Sequence, residues 1–299
     1  MLSWKEGLER KRILIADGGW GTEFIKYGLK PGEVPEVWNI DRASDVRAVA
    51  DSYTKTGADI ILTNTFGANR VKLTKVGLED AAVEINRLGV KISMEAAGQT
   101  AGEPCLVFGS MGPTGDFLRP LGQLTEAEVV QCFAEQARVL AREGVDGIIL
   151  ETMMDLGEAV GALRGVREGT SVPVAVSMTF DRKKSGYATI MGVRPDQAVR
   201  ELERRGADIV GANCGAGINE MIEVVRLMHQ ATSLPIWSKP NAGLPELIDG
   251  KTVYRETPER MASQLGRMVE AGASFVGGCC GTTPAHIMAL VAARNELAP

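Results

Sequence analysis

Thr56-Gly57-Ala58-Asp59 runs directly into the apolar stretch Ile60-Ile61-Leu62, and the same formula returns as Glu143-Gly144-Val145-Asp146, Arg205-Gly206-Ala207-Asp208 and Ala271-Gly272-Ala273-Ser274. At each site a helical pattern stops at a glycine able to take the left-handed conformation, and a short apolar run follows. Working outward from these junctions, candidate strands cover residues 13–17, 59–63, 105–110, 145–150, 172–178, 208–212, 235–238 and 274–277. Helical spacing covers 44–56, 79–97, 125–143, 156–168, 196–205, 219–231, 257–271 and 284–296. Such strict alternation predicts parallel strands with helices outside them. No Pro/Ser-rich linker or charge block divides the chain, so residues 1–299 read as one domain. Eight units without a polar edge strand predict a closed (β/α)8 TIM barrel. The alternative is a doubly wound open sheet. Against it, Asp17-Gly18-Gly19-Trp20-Gly21-Thr22 matches neither the dinucleotide fingerprint nor the Walker loop.

Composition narrows the function. The 33 Lys+Arg against 38 Asp+Glu give a net charge of −5, which argues against nucleic acid or an anionic membrane as partner. No apolar run approaches the roughly 18 residues of a membrane helix. The start, Met1-Leu2-Ser3-Trp4-Lys5-Glu6-Gly7, does not lead into a secretory apolar core, so a cytoplasmic address is expected.

In a barrel of this kind chemistry sits at the carboxyl ends of the strands. Of five cysteines, Cys105 and Cys132 fall in apolar or amphipathic runs and read as core residues. Cys214 follows the sixth strand, and Cys279 and Cys280 follow the eighth. Ring closure would bring the three together, and three thiolates with an open fourth position suit Zn²⁺. A Cys279-Cys280 disulfide would close a strained ring, and unliganded thiols are the other alternative. Neither His229 nor His286 follows a strand, so both read as packing or surface residues.

Asp17 ends the first strand and Glu151 the fourth. A lone carboxylate there usually caps a turn, but two at one mouth would attract a substrate ammonium. The glycines after Asp17 leave backbone N–H groups able to approach a carboxylate, so an amino acid is the natural ligand. A fourth thiol on zinc would be a thiolate near neutral pH, able to accept an activated alkyl group.

Seven stretches carry a resemblance: Asp17-Gly18-Gly19-Trp20-Gly21-Thr22-Glu23, Leu62-Thr63-Asn64-Thr65-Phe66-Gly67-Ala68, Gly112-Pro113-Thr114-Gly115, Leu150-Glu151-Thr152, Asn213-Cys214, Pro240-Asn241-Ala242-Gly243 and Gly277-Gly278-Cys279-Cys280-Gly281-Thr282-Thr283-Pro284. From about residue 10 to 295 the chain resembles the zinc-dependent homocysteine S-methyltransferase family, and within it the homocysteine-binding barrel of cobalamin-dependent methionine synthase. The resemblance implies that Cys214, Cys279 and Cys280 hold zinc, with homocysteine sulfur in the open position. It implies that Asp17 and Glu151 hold the substrate ammonium, that Gly18, Gly19 and Thr65 lie near its carboxylate, and that Asn64, Asn213 and Asn241 are polar wall or supporting residues.

The product would be methionine. With His229 and His286 as the only histidines, no Asp-x-His-x-x-Gly cobalamin signature is possible, so the resemblance implies methylcobalamin on a separate corrinoid protein or domain. Two alternatives stay open: a small donor such as S-methylmethionine, S-adenosylmethionine or betaine (or a different thiol acceptor), and a non-enzymatic zinc-binding protein.

Overall fold

A computed structural model describes residues 3–100, 105–248 and 251–297. Gly57, Gly144, Gly206 and Gly272 all take positive φ, at +82°, +92°, +89° and +110°, so each repeated junction ends its helix in the left-handed conformation. The aspartate that follows has its own task. Asp59, Asp146 and Asp208 each accept a backbone N–H from the preceding barrel strand, of Ile15 (2.7 Å), Val107 (2.8 Å) and Val174 (2.8 Å). The formula therefore stops a helix and ties the new strand to its neighbour.

Eight strands follow: β1 Leu14–Ile15, β2 Ile60–Leu62, β3 Leu106–Met111, β4 Gly147–Met153, β5 Val174–Met178, β6 Ile209–Asn213, β7 Ile236–Lys239 and β8 Ala273–Val276. They pair in parallel in chain order, and β1 also pairs with β8. A parallel bridge between Ala16 and Ile60 joins β1 to β2 and completes the ring. This is the closed (β/α)8 architecture that the alternation predicts.

Side chains alternate along each strand, so every second residue points into the barrel. Leu14, Ala16, Ile60, Leu62, Leu106, Phe108, Ile149, Ala175, Ile209, Trp237 and Phe275 form one interior cluster, separate from the larger core between strands and helices. Trp237 stacks on Phe108 (centroids 5.9 Å apart, planes at 17°) and lies 5.3 Å from Phe275. Gly147 makes room for these rings, since a Cβ there would come within 2.8 Å of Phe108. The helix Trp4–Lys11 opens on a Ser3–Glu6 capping box and packs Trp4 on Phe275, covering the amino end of the barrel.

Beyond short helices that the sequence reading does not include, such as Trp4–Lys11, Trp20–Lys26 and Arg70–Thr74, three features depart from it. The helix expected over 257–271 is two, Pro258–Ser263 and Leu265–Glu270. Ser263 Oγ takes the Arg260 carbonyl (2.7 Å) and Gln264 N–H turns back to Met261, a tight last turn that breaks the axis. Two hairpins, Asp181–Lys183 with Gly186–Ala188 and Glu246–Ile248 with Lys251–Val253, rise from the loops after β5 and β7. No helix among the described residues is long and apolar enough to cross a membrane.

Around Gly206 a new Cβ would meet no atom within 4 Å. Gly206→Ala should therefore cost only the backbone strain of a left-handed L-residue, about 1–2 kcal/mol. Urea unfolding should show a lower midpoint with an unchanged slope.

Candidate metal centre

The barrel's alternation decides what stands at its mouth. Two residues beyond the inward Phe108, Ile149, Ala175, Gly211 and Trp237 come Ser110, Glu151, Ser177, Asn213 and Lys239, so a polar layer lies directly on the apolar plug. Its members bond to one another. Ser110 Oγ donates to Glu151 Oε1 (2.6 Å), Ser177 Oγ donates to Asn213 Oδ1 (2.6 Å), and Lys239 Nζ donates to Asp17 Oδ1 (2.6 Å).

On this layer stand three thiols. The Sγ atoms of Cys214, Cys279 and Cys280 all lie within 4.8 Å of one another, and none is in a disulfide. Tetrahedral zinc with bonds of about 2.3 Å spaces its sulfur ligands about 3.8 Å apart, a separation that a cluster of this size can supply. Cys214 is held at φ +59°, with its N–H on the Lys239 carbonyl (3.1 Å). Such a conformation in a non-glycine residue persists only where surroundings enforce it. Hydrogen bonds from the Cys279 and Cys280 thiols pull the Cys214 thiol far below its usual range, with further help from the Asn241 amide, while Cys279 is pushed up. The three thiols therefore titrate as one coupled group. Asn241 keeps a buried Oδ1 with no hydrogen-bond partner, a polar atom to spare beside the cluster. Three soft donors and that carbonyl fit a zinc ion.

Supporting contacts come from several loops. Asn213 Nδ2 donates to Thr152 Oγ1 (2.8 Å) and faces Cys279 Sγ (3.8 Å), while its Oδ1 also accepts the Thr152 N–H (2.8 Å). Tyr254 and Cys280 act on each other's titration, and the tyrosine ring lies over Gly281, where a Cβ would sit 2.1 Å from Tyr254 Cγ. Thr282 Oγ1 donates to the Cys279 carbonyl (2.6 Å) and accepts the Gly19 N–H (3.0 Å). At Gly19 a Cβ would approach that carbonyl to 2.5 Å, which is why the β1 loop needs glycine there.

A cavity of about 260 Å³ opens beside the thiols, walled by Gly18, Gly19, Trp20, Phe24, Glu36, Thr63, Asn64, Phe66, Glu151 and Lys239 among others. A larger space, about 630 Å³, lies at the opposite end of the barrel. There Asp59 binds Lys11 (2.7 Å) and Arg294, and no group of three possible metal ligands forms among the described residues. The chemistry points to the smaller cavity.

The sequence-predicted residues are not equally placed. Glu151, Gly18, Gly19 and Asn64 reach the cavity wall. Burial pushes the Glu151 carboxyl up, against the pull of Lys239 and the Ser110 hydroxyl. Asp17 does not line the cavity. It is fully buried, with Oδ1 on Lys239 and Oδ2 accepting from Trp20 Nε1 (2.6 Å) and the Leu62 N–H (2.7 Å). Thr65 is also fully buried, bonded to the Ser110 carbonyl and Thr63 Oγ1, and its neighbour Thr63 faces the cavity instead. Asn64 spends its Nδ2 on the Pro35 carbonyl and Asn39. His286 is buried, with Nδ1 taking the Thr283 N–H and Nε2 on the Glu256 carbonyl, a packing role as expected. Lys239, Ser110, Glu36 and Tyr254 were not anticipated. For Lys239 the signal was there: it follows Trp237 at strand spacing.

A family model described as homocysteine S-methyltransferase matches residues 14–294. Methionine synthases from Mycobacterium tuberculosis (strain ATCC 25618 / H37Rv) and Mycobacterium leprae (strain TN) are each 32% identical over 298 and 297 residues, 95% of this chain in both cases. The chain spans about a quarter of their length, 25% and 24%. The metallated form of the homocysteine methyltransferase MmuM from Escherichia coli shares the fold, with a TM-score of 0.79 at 22% identity over 95% of this chain and 97% of that one. Its apo form gives 0.75 at 24%, over 96% and 97%. With nearly the whole barrel matched, the chain belongs to the homocysteine S-methyltransferase family.

Proposed function

We propose that this chain transfers a methyl group to the sulfur of homocysteine, giving methionine, with zinc held by Cys214, Cys279 and Cys280. The observation that carries the reading is the meeting of three thiols from two distant strand ends beside a cavity that also presents the half-buried Glu151. Zinc, when bound there, would lower the pKa of a fourth thiol and keep it a thiolate at neutral pH. The chain's own groups do the rest. Glu151 accepts from the substrate ammonium, which would offset the burial that now raises its pKa. Asn213 and Asn241 steady the thiols. Gly18 and Gly19 let the amino-acid end approach the β1 loop closely. A carbon–sulfur bond then forms as the donor's bond to methyl breaks, the donor keeping the electron pair.

For the donor, the reading is methylcobalamin on a separate corrinoid protein or domain. The two histidines, His229 and His286, offer no cobalamin signature in this chain. The cited relatives extend well beyond the matched stretch. A second reading, a small sulfonium or betaine donor, is favoured by one observation: Trp20, Phe24 and Phe66 line the cavity together with the buried Glu36, a combination suited to a cation. The cytoplasm remains the expected compartment.

Purified protein should carry about one zinc per chain, as three protein ligands with an open fourth position would hold. Cys214→Ala should lose most of it, and chelation should abolish methionine formation; zinc content indifferent to Cys214 would sink the site. Methylcobalamin, S-methylmethionine and betaine offered separately should give turnover with the first alone. Turnover with a small onium donor would transfer the reading to the aromatic wall. Glu151→Gln should weaken homocysteine binding roughly tenfold or more, the worth of a charge-assisted hydrogen bond, at unchanged zinc content. Equal loss of both would mark Glu151 as structural.

A further inference from the structure

Asp17 is spent. Three donors at 2.6, 2.6 and 2.7 Å occupy its two oxygens, and it has no surface on the cavity. A substrate ammonium could reach it only by displacing one of them. The β1 loop is partly spent as well, since the Gly19 N–H is given to Thr282 Oγ1. The formal charges that line the cavity among the described residues are then Glu36, Glu151 and Lys239, apart from the thiols. Glu36 holds the Gly67 N–H (2.6 Å) under the β2 loop. This leaves Glu151 and Lys239.

These two stand on β4 and β7, both in the inward register, and each acts on the other's charge. Glu151 has Oε1 on Ser110 and no hydrogen bond to Oε2 among the described residues. Lys239 is 2% exposed, yet among the described residues only one of its three ammonium donors is used, on Asp17. Burying a cation is costly, and pairing with Asp17 offsets that cost. Two donors remain beside the cavity. If neutralising Asp17 were the whole task, the side chain would not need to line the cavity at all.

We propose that Lys239 and Glu151 form an opposite-charge clamp that reads the amino-acid end of the thiol substrate, Glu151 taking the α-ammonium and Lys239 donating to the α-carboxylate. The clamp rests on the homocysteine reading above and makes Lys239 a specificity-determining residue. Glu151 alone would admit any aminothiol and repel a carboxylate. With Lys239 beside it, the mouth matches a zwitterion and discriminates against thiols that lack either charge.

Three thiols separate the possibilities in calorimetric titrations of the zinc-loaded protein: homocysteine, aminopropanethiol (homocysteine without its carboxylate) and mercaptobutanoate (homocysteine without its ammonium). Lys239→Met should weaken homocysteine and mercaptobutanoate roughly tenfold to a hundredfold and change aminopropanethiol by less than about twofold. Because that variant leaves Asp17 buried without its partner, Asp17→Asn combined with Lys239→Met removes both charges and tests the same selectivity, with zinc content and far-ultraviolet dichroism measured alongside. Equal weakening of all three thiols would make Lys239 a purely structural partner of Asp17 and overturn the clamp alone. Wild-type protein that binds zinc but none of the three thiols would overturn the homocysteine reading itself, and the clamp with it.

Discussion

Asp17 sits on the seam where the barrel closes. Its N–H donates to the Ile60 carbonyl on β2 (3.0 Å), its carbonyl accepts the Gly278 N–H just past β8 (2.9 Å), and its carboxylate takes the Leu62 N–H and Lys239 from β7. β1 itself is only two residues long, so a single side chain supplies much of what a longer strand would. The ion pair with Lys239 is 3% and 0% exposed at its two side chains. Pairs this deep add little net stability over an apolar substitute, yet breaking one costs about 3–5 kcal/mol because the surviving charge is stranded. The seam therefore fixes position more than it adds strength. With it shut the ring is complete; β6 and β8 each pair with β7, and the three thiols meet across that strand.

The amino end of the barrel is held by different means. Asp59, Asp146 and Asp208 each tie one strand to the next, and the two side-chain partners of Asp59, Lys11 and Arg294, come from the helices Trp4–Lys11 and Pro284–Leu297. These contacts use none of the loops that carry the thiols. Structural charge at one end and chemical charge at the other is the division expected of this architecture.

Much of this was legible in the sequence because its causes are local. A glycine that must take positive φ and an aspartate that must meet a free N–H leave a repeated four-residue trace, and the cysteines after strands six and eight come together because both strands flank the seventh. What stayed hidden depends on distant partners. Asp17 reads as a free carboxylate until Lys239, 222 residues away, is seen to claim it. The strand over 235–238 was cut where apolarity ended, one residue before the lysine that alternation carries inward. The rim hairpins escaped because their residues are largely exposed and show no buried face. The break at Gln264 turns on one serine hydroxyl choosing a backbone carbonyl.

The stacked rings of Trp237, Phe108 and Phe275 leave no passage through the barrel's axis. The site is a blind well with one opening. For the reaction proposed above, acceptor, donor and product must share that opening, with the acceptor's charged end on the polar layer and its sulfur above it at the thiols. Traffic is thereby ordered: the thiol enters first, the methyl carrier approaches over it and withdraws, and the methylated amino acid leaves last.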